Sequence, residues 1–230
     1  MYECAALVCG GRLAAERGGL MDEKLAELVE RIRACRLCRD APANPARPLP
    51  HEPRPVVTAS STARILIAGQ APGTRVHATG QPFNDRSGDR LRDWLGVTRE
   101  EFYDPENFAI VPMGFCFPGQ DAKGSDLPPR RECAPTWRSE LIAAMPQIEL
   151  VLAIGLYAQG WHLGDARRAS LTEAVADWRA IFMRNETPRV LPLPHPSWRN
   201  TAWLKRNPWF EADLLPVLRR EIAMRLGRQA

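Results

Sequence analysis

Four cysteines and one histidine stand out from the 230-residue chain by their spacing. Cys35-Arg-Leu-Cys38 is a C-x2-C knuckle, and Cys116 and Cys133 follow it with sixteen residues between them. Four thiolates in a pair-plus-two arrangement suit a tetrahedral zinc ion or an iron-sulfur cluster. Four separate buried thiols fit the same spacing, because only the knuckle is a recognised ligand pattern. Cys4 and Cys9 lie in an N-terminal stretch with little core-forming pattern. His195 sits between Pro194 and Pro196, on a backbone stiff enough for a group that must donate one hydrogen bond at a fixed place. The other histidines, His51, His77 and His162, read as surface residues. The last candidate is Gly69-Gln-Ala-Pro-Gly73, where two glycines let the backbone approach a ligand more closely than a Cβ allows. A plain strand-to-helix turn has the same composition.

The elements that must position these residues follow from apolar patterning. Ile65 to Ala68 is an unbroken apolar run ending at Gly69 and is read with Arg64 as a strand over 64–68, and Phe108–Val111, Leu150–Ile154 and Arg189–Leu193 are three more strands, the last carrying a proline. Leu25, Leu28, Val29 and Ile32 recur at helical spacing and predict a helix over Asp22–Ala34. Residues 40–61, rich in proline and polar side chains, predict a long irregular connection. Ser87 is the expected cap of a helix carrying Leu91, Trp94 and Leu95, and Thr98 with Glu101 forms a capping-box pattern. Pro128-Pro129 is expected to open a helix through Cys133, Trp137 and Leu141, a helix is expected near Tyr157, another helix or irregular apolar segment over 171–182, and a final helix over about 211–225. Short strands alternating with helices predict an α/β fold, a three-layer α/β/α sandwich around a parallel sheet. The loops after the first and last strands, carrying Gly69 and His195, then leave the same edge of the sheet.

Composition limits the function. At 45% hydrophobic, the chain makes one sizeable domain, read as residues 21–230, with residues 1–20 as a disordered extension. No apolar run reaches membrane-spanning length and residues 1–20 lack a signal-peptide core, so the expectation is a soluble, cytoplasmic monomer that uses its cysteines for something other than disulfides. From Arg184 to Ala230 there are nine Lys/Arg against four Asp/Glu, within a net charge of +4. That excess suits a polyanionic partner and equally a solvated helix surface.

Taken together, Gly69-Gln-Ala-Pro-Gly73, Gly80-Gln-Pro-Phe83, His195-Pro-Ser197, Cys35-x2-Cys38, Cys116 and Cys133 resemble the iron-sulfur uracil-DNA glycosylases of bacteria and archaea. The match in order and spacing runs from residue 22 to residue 222. The resemblance implies a four-stranded parallel sheet with the site at its carboxyl edge. It also implies a 4Fe-4S cluster on Cys35, Cys38, Cys116 and Cys133, with zinc as the lesser occupant. Phe83 would stack on a base flipped out of DNA, the turn of Gly69, Ala71, Pro72 and Gly73 would hold the base and the attacking water, and His195 would donate to a base carbonyl. Ser197, Trp198 and Arg199 fall where the family inserts side chains into the duplex, and the segment tied down by the cluster offers Arg130, Arg131 and Lys123 to phosphates.

Two positions depart from the family pattern. Gln70 replaces a glutamate that orients or deprotonates water, and Pro112, four positions before Cys116, replaces an asparagine that reads the uracil edge. Asn84 and Asp85 are the candidate replacement amide and carboxylate. The departures predict either excision of uracil together with other deaminated bases such as hypoxanthine or xanthine, or a catalytically silent DNA-damage-binding protein on the same fold. No lysine lies in either site loop to form a Schiff base, so the expected glycosylase is monofunctional.

Overall fold

The computed structural model describes residues 22–228. The proposed extension over residues 1–20, with Cys4 and Cys9, lies outside them. Four parallel strands form one sheet in the order β2-β1-β3-β4: β1 Ile65–Ala68, β2 Phe108–Ile110, β3 Leu150–Ile154 and β4 Arg189–Leu193. Register pairs Ile65 with Phe108 and Leu150, and Leu150 with Arg189. The sheet is covered on both faces, so its strands are continuous apolar runs and each strand sends alternate residues to opposite cores. Ile65, Ile67, Phe108, Ile110, Leu150, Leu152, Leu191 and Leu193 enter one core, and Leu66, Ala68, Ala109, Val151 and Ala153 enter the other.

Helix α1, over 22–33, buries Leu25, Leu28, Val29 and Ile32 in the second core, as its spacing predicts. The short α2 (Leu37–Asp40) follows. Helix α3 (Thr74–Thr79) occupies the loop after β1, then come α4 (Arg86–Leu95) and α5 (Arg99–Tyr103). Helix α6 (Cys133–Ala143) precedes β3, and α7 (Gly155–His162), α8 (Leu171–Ala176) and α9 (Trp178–Phe182) lie between β3 and β4. After β4 come α10 (Thr201–Arg206) and α11 (Leu215–Arg225). Leu91, Trp94 and Leu95 of α4 and Leu218 and Ile222 of α11 pack in the first core, and Leu141 of α6 packs in the second. This is the three-layer α/β/α arrangement.

Three helix starts differ from the sequence expectation. Asp85, not Ser87, caps α4: its backbone is extended and its carboxylate accepts the Gly88 N–H at 2.9 Å, an anion at the positive end of the helix. Helix α6 begins at Cys133, not at Pro128-Pro129: Leu127 and Pro128 are each held extended by the proline that follows, and it is Pro135, in the first turn where its missing N–H costs no bond, that sits in the helix. The last helix enters through a π turn, Phe210–Leu214, since Pro216 has no N–H to continue the α ladder. The Thr98–Glu101 capping box on α5 is formed from both sides.

Parallel strands all end at one edge, and the order places β2 and β3 on opposite sides of β1, making a crevice at that end of the sheet. Gln159, buried in α7, donates to the Leu193 carbonyl at 3.0 Å and fixes the end of β4 from which His195 emerges.

Candidate functional site

The crevice holds a pocket lined by the Gly69–Gly73 turn, Phe83, Asp85, Pro112, Asp126 and His195 among others. It opens into a larger groove that shares Gln70, Asp85, Asp126 and His195 and adds Arg75, Arg86, Ser197, Trp198 and Arg199. The fold therefore brings Gly69, Gln70, Ala71, Pro72, Gly73, Phe83, Asp85 and His195 together in one pocket, with Ser197, Trp198 and Arg199 at its mouth. Asn84 lies outside that lining, and its side-chain oxygen accepts from Arg99 at 3.2 Å.

His195 is fixed in one tautomer. Its Nδ1 accepts the backbone N–H of Ser197 at 3.2 Å, so the ring proton is on Nε2. Asn200 donates to the His195 carbonyl at 2.8 Å and holds the loop. Burial pushes the imidazole below its ordinary pKa, outweighing the opposite pull of Asp85 and Asp126. At neutral pH it is an uncharged donor.

Phe83 is held by its own backbone. Its φ of 51° lies in the left-handed region, which costs a non-glycine residue about 1–2 kcal/mol. The Tyr103 hydroxyl donates to its carbonyl at 3.2 Å, Arg92 reaches the same oxygen at 3.4 Å, and the ring meets Phe102 edge-on. Gly88, in the first turn of α4, lies against that carbonyl: a Cβ there would stand 1.7 Å from the Phe83 oxygen. The ring tip reaches over Gly69, where an added Cβ would lie 3.5 Å from Cζ.

The two departing positions have specific surroundings. The Gln70 side-chain amide donates to the Leu127 carbonyl at 3.1 Å, a bond a carboxylate there could not make. Next to Leu127, Asp126 accepts from Gln120 at 3.1 Å and places its other oxygen 3.4 Å from the position of a Cβ on Gly73. Behind Pro112 lies Arg138, fully buried on α6, donating to the Val111 and Pro112 carbonyls at 2.5 and 2.7 Å. Its other nitrogen meets His162 Nε2 at 2.6 Å. His162 is thus an inward partner and not a surface residue, and burial drives its pKa down to about 3. His51 and His77 are also packed inward, 4.2 Å apart beside Phe117.

Trp198 is 76% exposed at the groove, with the Arg199 guanidinium 5.8 Å from its ring. Arg130 is turned inward, donating to the Arg47 carbonyl at 2.9 Å and to Glu132 at 3.0 Å, while Arg131 is exposed. Asp126, Arg75, Arg86, Gly88 and Arg138 are site residues that sequence reasoning missed.

The four cysteines line a second, narrow recess with Leu37, Pro53, Pro55, Phe115, Arg130 and Trp137. Two of the sulfurs meet donors: Trp137 Nε1–H points at Cys35 and the Phe115 N–H at Cys133, both at 3.3 Å, while Arg130 reaches the Cys38 carbonyl at 3.5 Å. Burial raises the free thiols, Cys38 to about 11 and Cys116 and Cys133 to about 12. Among the described residues, no three His, Cys, Asp or Glu side chains converge on a point that could hold a single metal ion. No helix among them is long and apolar enough to cross a membrane.

One comparison with known proteins bears on this arrangement. The model of the uracil DNA glycosylase superfamily matches residues 56–219, more than two thirds of the chain, from just before β1 to within α11.

Proposed function

We propose that this chain, which belongs to the uracil DNA glycosylase superfamily, is a monofunctional DNA glycosylase of its iron-sulfur branch, acting in base excision repair. It removes uracil, and other deaminated bases such as hypoxanthine or xanthine, by drawing the nucleotide out of the stack and hydrolysing its N-glycosidic bond. The supporting observation is the convergence of Phe83, the fixed Nε2–H of His195 and the Gly69–Gly73 turn on one pocket below a groove carrying Arg75, Arg86, Arg199 and exposed Trp198. On this reading the enzyme acts as a monomer, in the cytoplasm, on single- or double-stranded DNA.

As the glycosidic bond breaks, negative charge collects on the departing base and positive charge on the sugar. Phe83 stacks on the base, and His195 donates to the carbonyl oxygen where the negative charge grows, an interaction worth about 100- to 1000-fold in rate. An uncharged imidazole donates there without being consumed as an acid. Pro112 offers the base edge no side-chain donor or acceptor, so fewer polar groups are left unmatched by a base other than uracil. Neither pocket nor groove is lined by a lysine, so water attacks and the DNA backbone stays intact. Trp198 fills the gap in the stack, and the arginines of the groove take phosphates.

Cys35, Cys38, Cys116 and Cys133 would hold a 4Fe-4S cluster. The fit rests on four sulfurs set around one recess, with N–H donors on Cys35 and Cys133, and on the absence among the described residues of a group closed tightly enough for a single metal ion, since four thiolates on one zinc lie only ~3.8 Å apart. When bound, the cluster supplies a covalent tie among α2, the segment after β2 and the start of α6. Residues 21–230 are then one domain.

The test is excision from a labelled oligonucleotide with one uracil, single-stranded or opposite G or A, with hypoxanthine and xanthine in parallel. Wild type should leave abasic product, and His195→Ala and Phe83→Ala much less. DNA binding with no base released by wild type would refute the enzyme and leave the damage-binding reading.

A further inference from the structure

Glycosidic hydrolysis by water requires a group that orients the nucleophile and takes its proton, and an amide at position 70 cannot take it. Two carboxylates line the pocket, Asp85 and Asp126. One oxygen of Asp85 is committed to the Gly88 N–H as the cap of α4. Asp126 has a different setting: it lies beside Gly73, within the turn that holds the base, and lines both the pocket and the groove above it. Its neighbour Leu127 is anchored by the Gln70 amide, and its own Oδ1 by Gln120. The segment is further closed by an antiparallel bridge between Gln120 and Asp126 and by the Leu127 N–H on the Gly119 carbonyl at 2.9 Å.

We infer that Asp126 is the carboxylate that orients and deprotonates the attacking water, and that Gln70 is a positioning residue that holds it there; this rests on the glycosylase reading above. The carboxylate function of position 70 has passed to a residue on a different loop, and the side chain at 70 has become its support. The water oxygen forms a bond to C1′ of the deoxyribose while its proton passes to Asp126. The electrons of the broken C1′–N bond leave with the base, whose carbonyl oxygen is held by His195 Nε2–H. Protonation of the released base from Asp126 or solvent completes the hydrolysis.

The experiment is single-turnover excision by wild type, Asp126→Asn, Asp126→Glu, Asp85→Asn, Gln70→Met and the Gln70→Met/Asp126→Asn double variant, with DNA affinity and thermal melting recorded for each. Asp126→Asn should lower the rate about 100-fold or more with affinity and melting unchanged, and Asp126→Glu should recover part of it. Gln70→Met should slow the wild type but add nothing in the Asp126→Asn background, a non-additivity that independent structural damage would not produce. Full activity of Asp126→Asn beside an inert Asp85→Asn would assign the water to Asp85 and overturn the inference alone. A wild type that binds DNA and releases no base would overturn the glycosylase reading and this assignment with it.

Discussion

Replacing Gly88 by alanine sets helix propensity against a steric contact, and the structure shows which wins. Alanine is the better helix former by about 1 kcal/mol, and Gly88 lies inside the first turn of α4. Its added carbon would stand 1.7 Å from the Phe83 oxygen and 2.6 Å from the carbonyl carbon, where ordinary contact begins at 3.4 Å. About 1.7 Å of movement is needed, and it falls on a backbone already in the left-handed region. That movement breaks the bonds from the Tyr103 hydroxyl and Arg92 to the Phe83 carbonyl, at about 1 kcal/mol each, and adds about 1–3 kcal/mol of overpacking. The net loss is about 2–4 kcal/mol, a melting point lower by about 10 °C. The ring of Phe83 moves with its backbone, and a misplacement of about 1 Å costs about 100-fold in rate. Melting and single-turnover excision on Gly88→Ala, beside the milder Tyr103→Phe, which loses one hydrogen bond and about 1 kcal/mol, measure both effects. A Gly88→Ala protein that melts at or above wild type and excises at the wild-type rate would refute the argument.

Stability should depend on pH through the buried histidines. His195 and His162 are pushed below the ordinary value by burial, His162 to about 3, so the unfolded chain takes up protons that the folded chain refuses. Stability is full above about pH 6.5 and falls as the pH drops below it, for His162 all the way toward 3, by up to ~1.4 kcal/mol per pH unit from each histidine that only the unfolded chain protonates. Urea unfolding at about pH 7.5 and about pH 5 should show a smaller loss for His162→Gln, which keeps an acceptor for Arg138 without a titrating group; an undiminished loss would contradict this. Cys133→Ser should purify without the brown colour, iron and labile sulfide expected of wild type, and retention of all three would remove that sulfur from the ligand set.

The strands were legible because each is an apolar run halted by glycine or proline. β3 and β4 fall on the expected residues, and β1 and β2 on all but one residue of theirs. Helix α3 was not, since Thr74–Thr79 is only six residues long and shows no apolar repeat. At the site, His195, Phe83 and the Gly69–Gly73 turn lie in short motifs whose residue types announce them. Asp126 is tied in through Gln70 and Leu127, fifty-seven positions apart, and Arg138 reaches the Pro112 carbonyl across twenty-six, contacts that leave no local trace. Gly88 did carry a signal: a glycine in the first turn of an otherwise good helix marks a place where another backbone comes close.

Arg138 has a further consequence. It is a guanidinium with no exposed surface, its pKa lowered by burial only to about 10, and no carboxylate pairs with it among the described residues. Behind Pro112 it sets a fixed positive potential against the wall of the pocket. On the proposed function, arginines of the open groove attract phosphates through water and mobile ions, and DNA affinity is expected to weaken steeply as ionic strength rises. A charge sealed beneath the wall is screened far less. Salt should therefore release the DNA while leaving the rate of bond cleavage in the bound complex nearly unchanged.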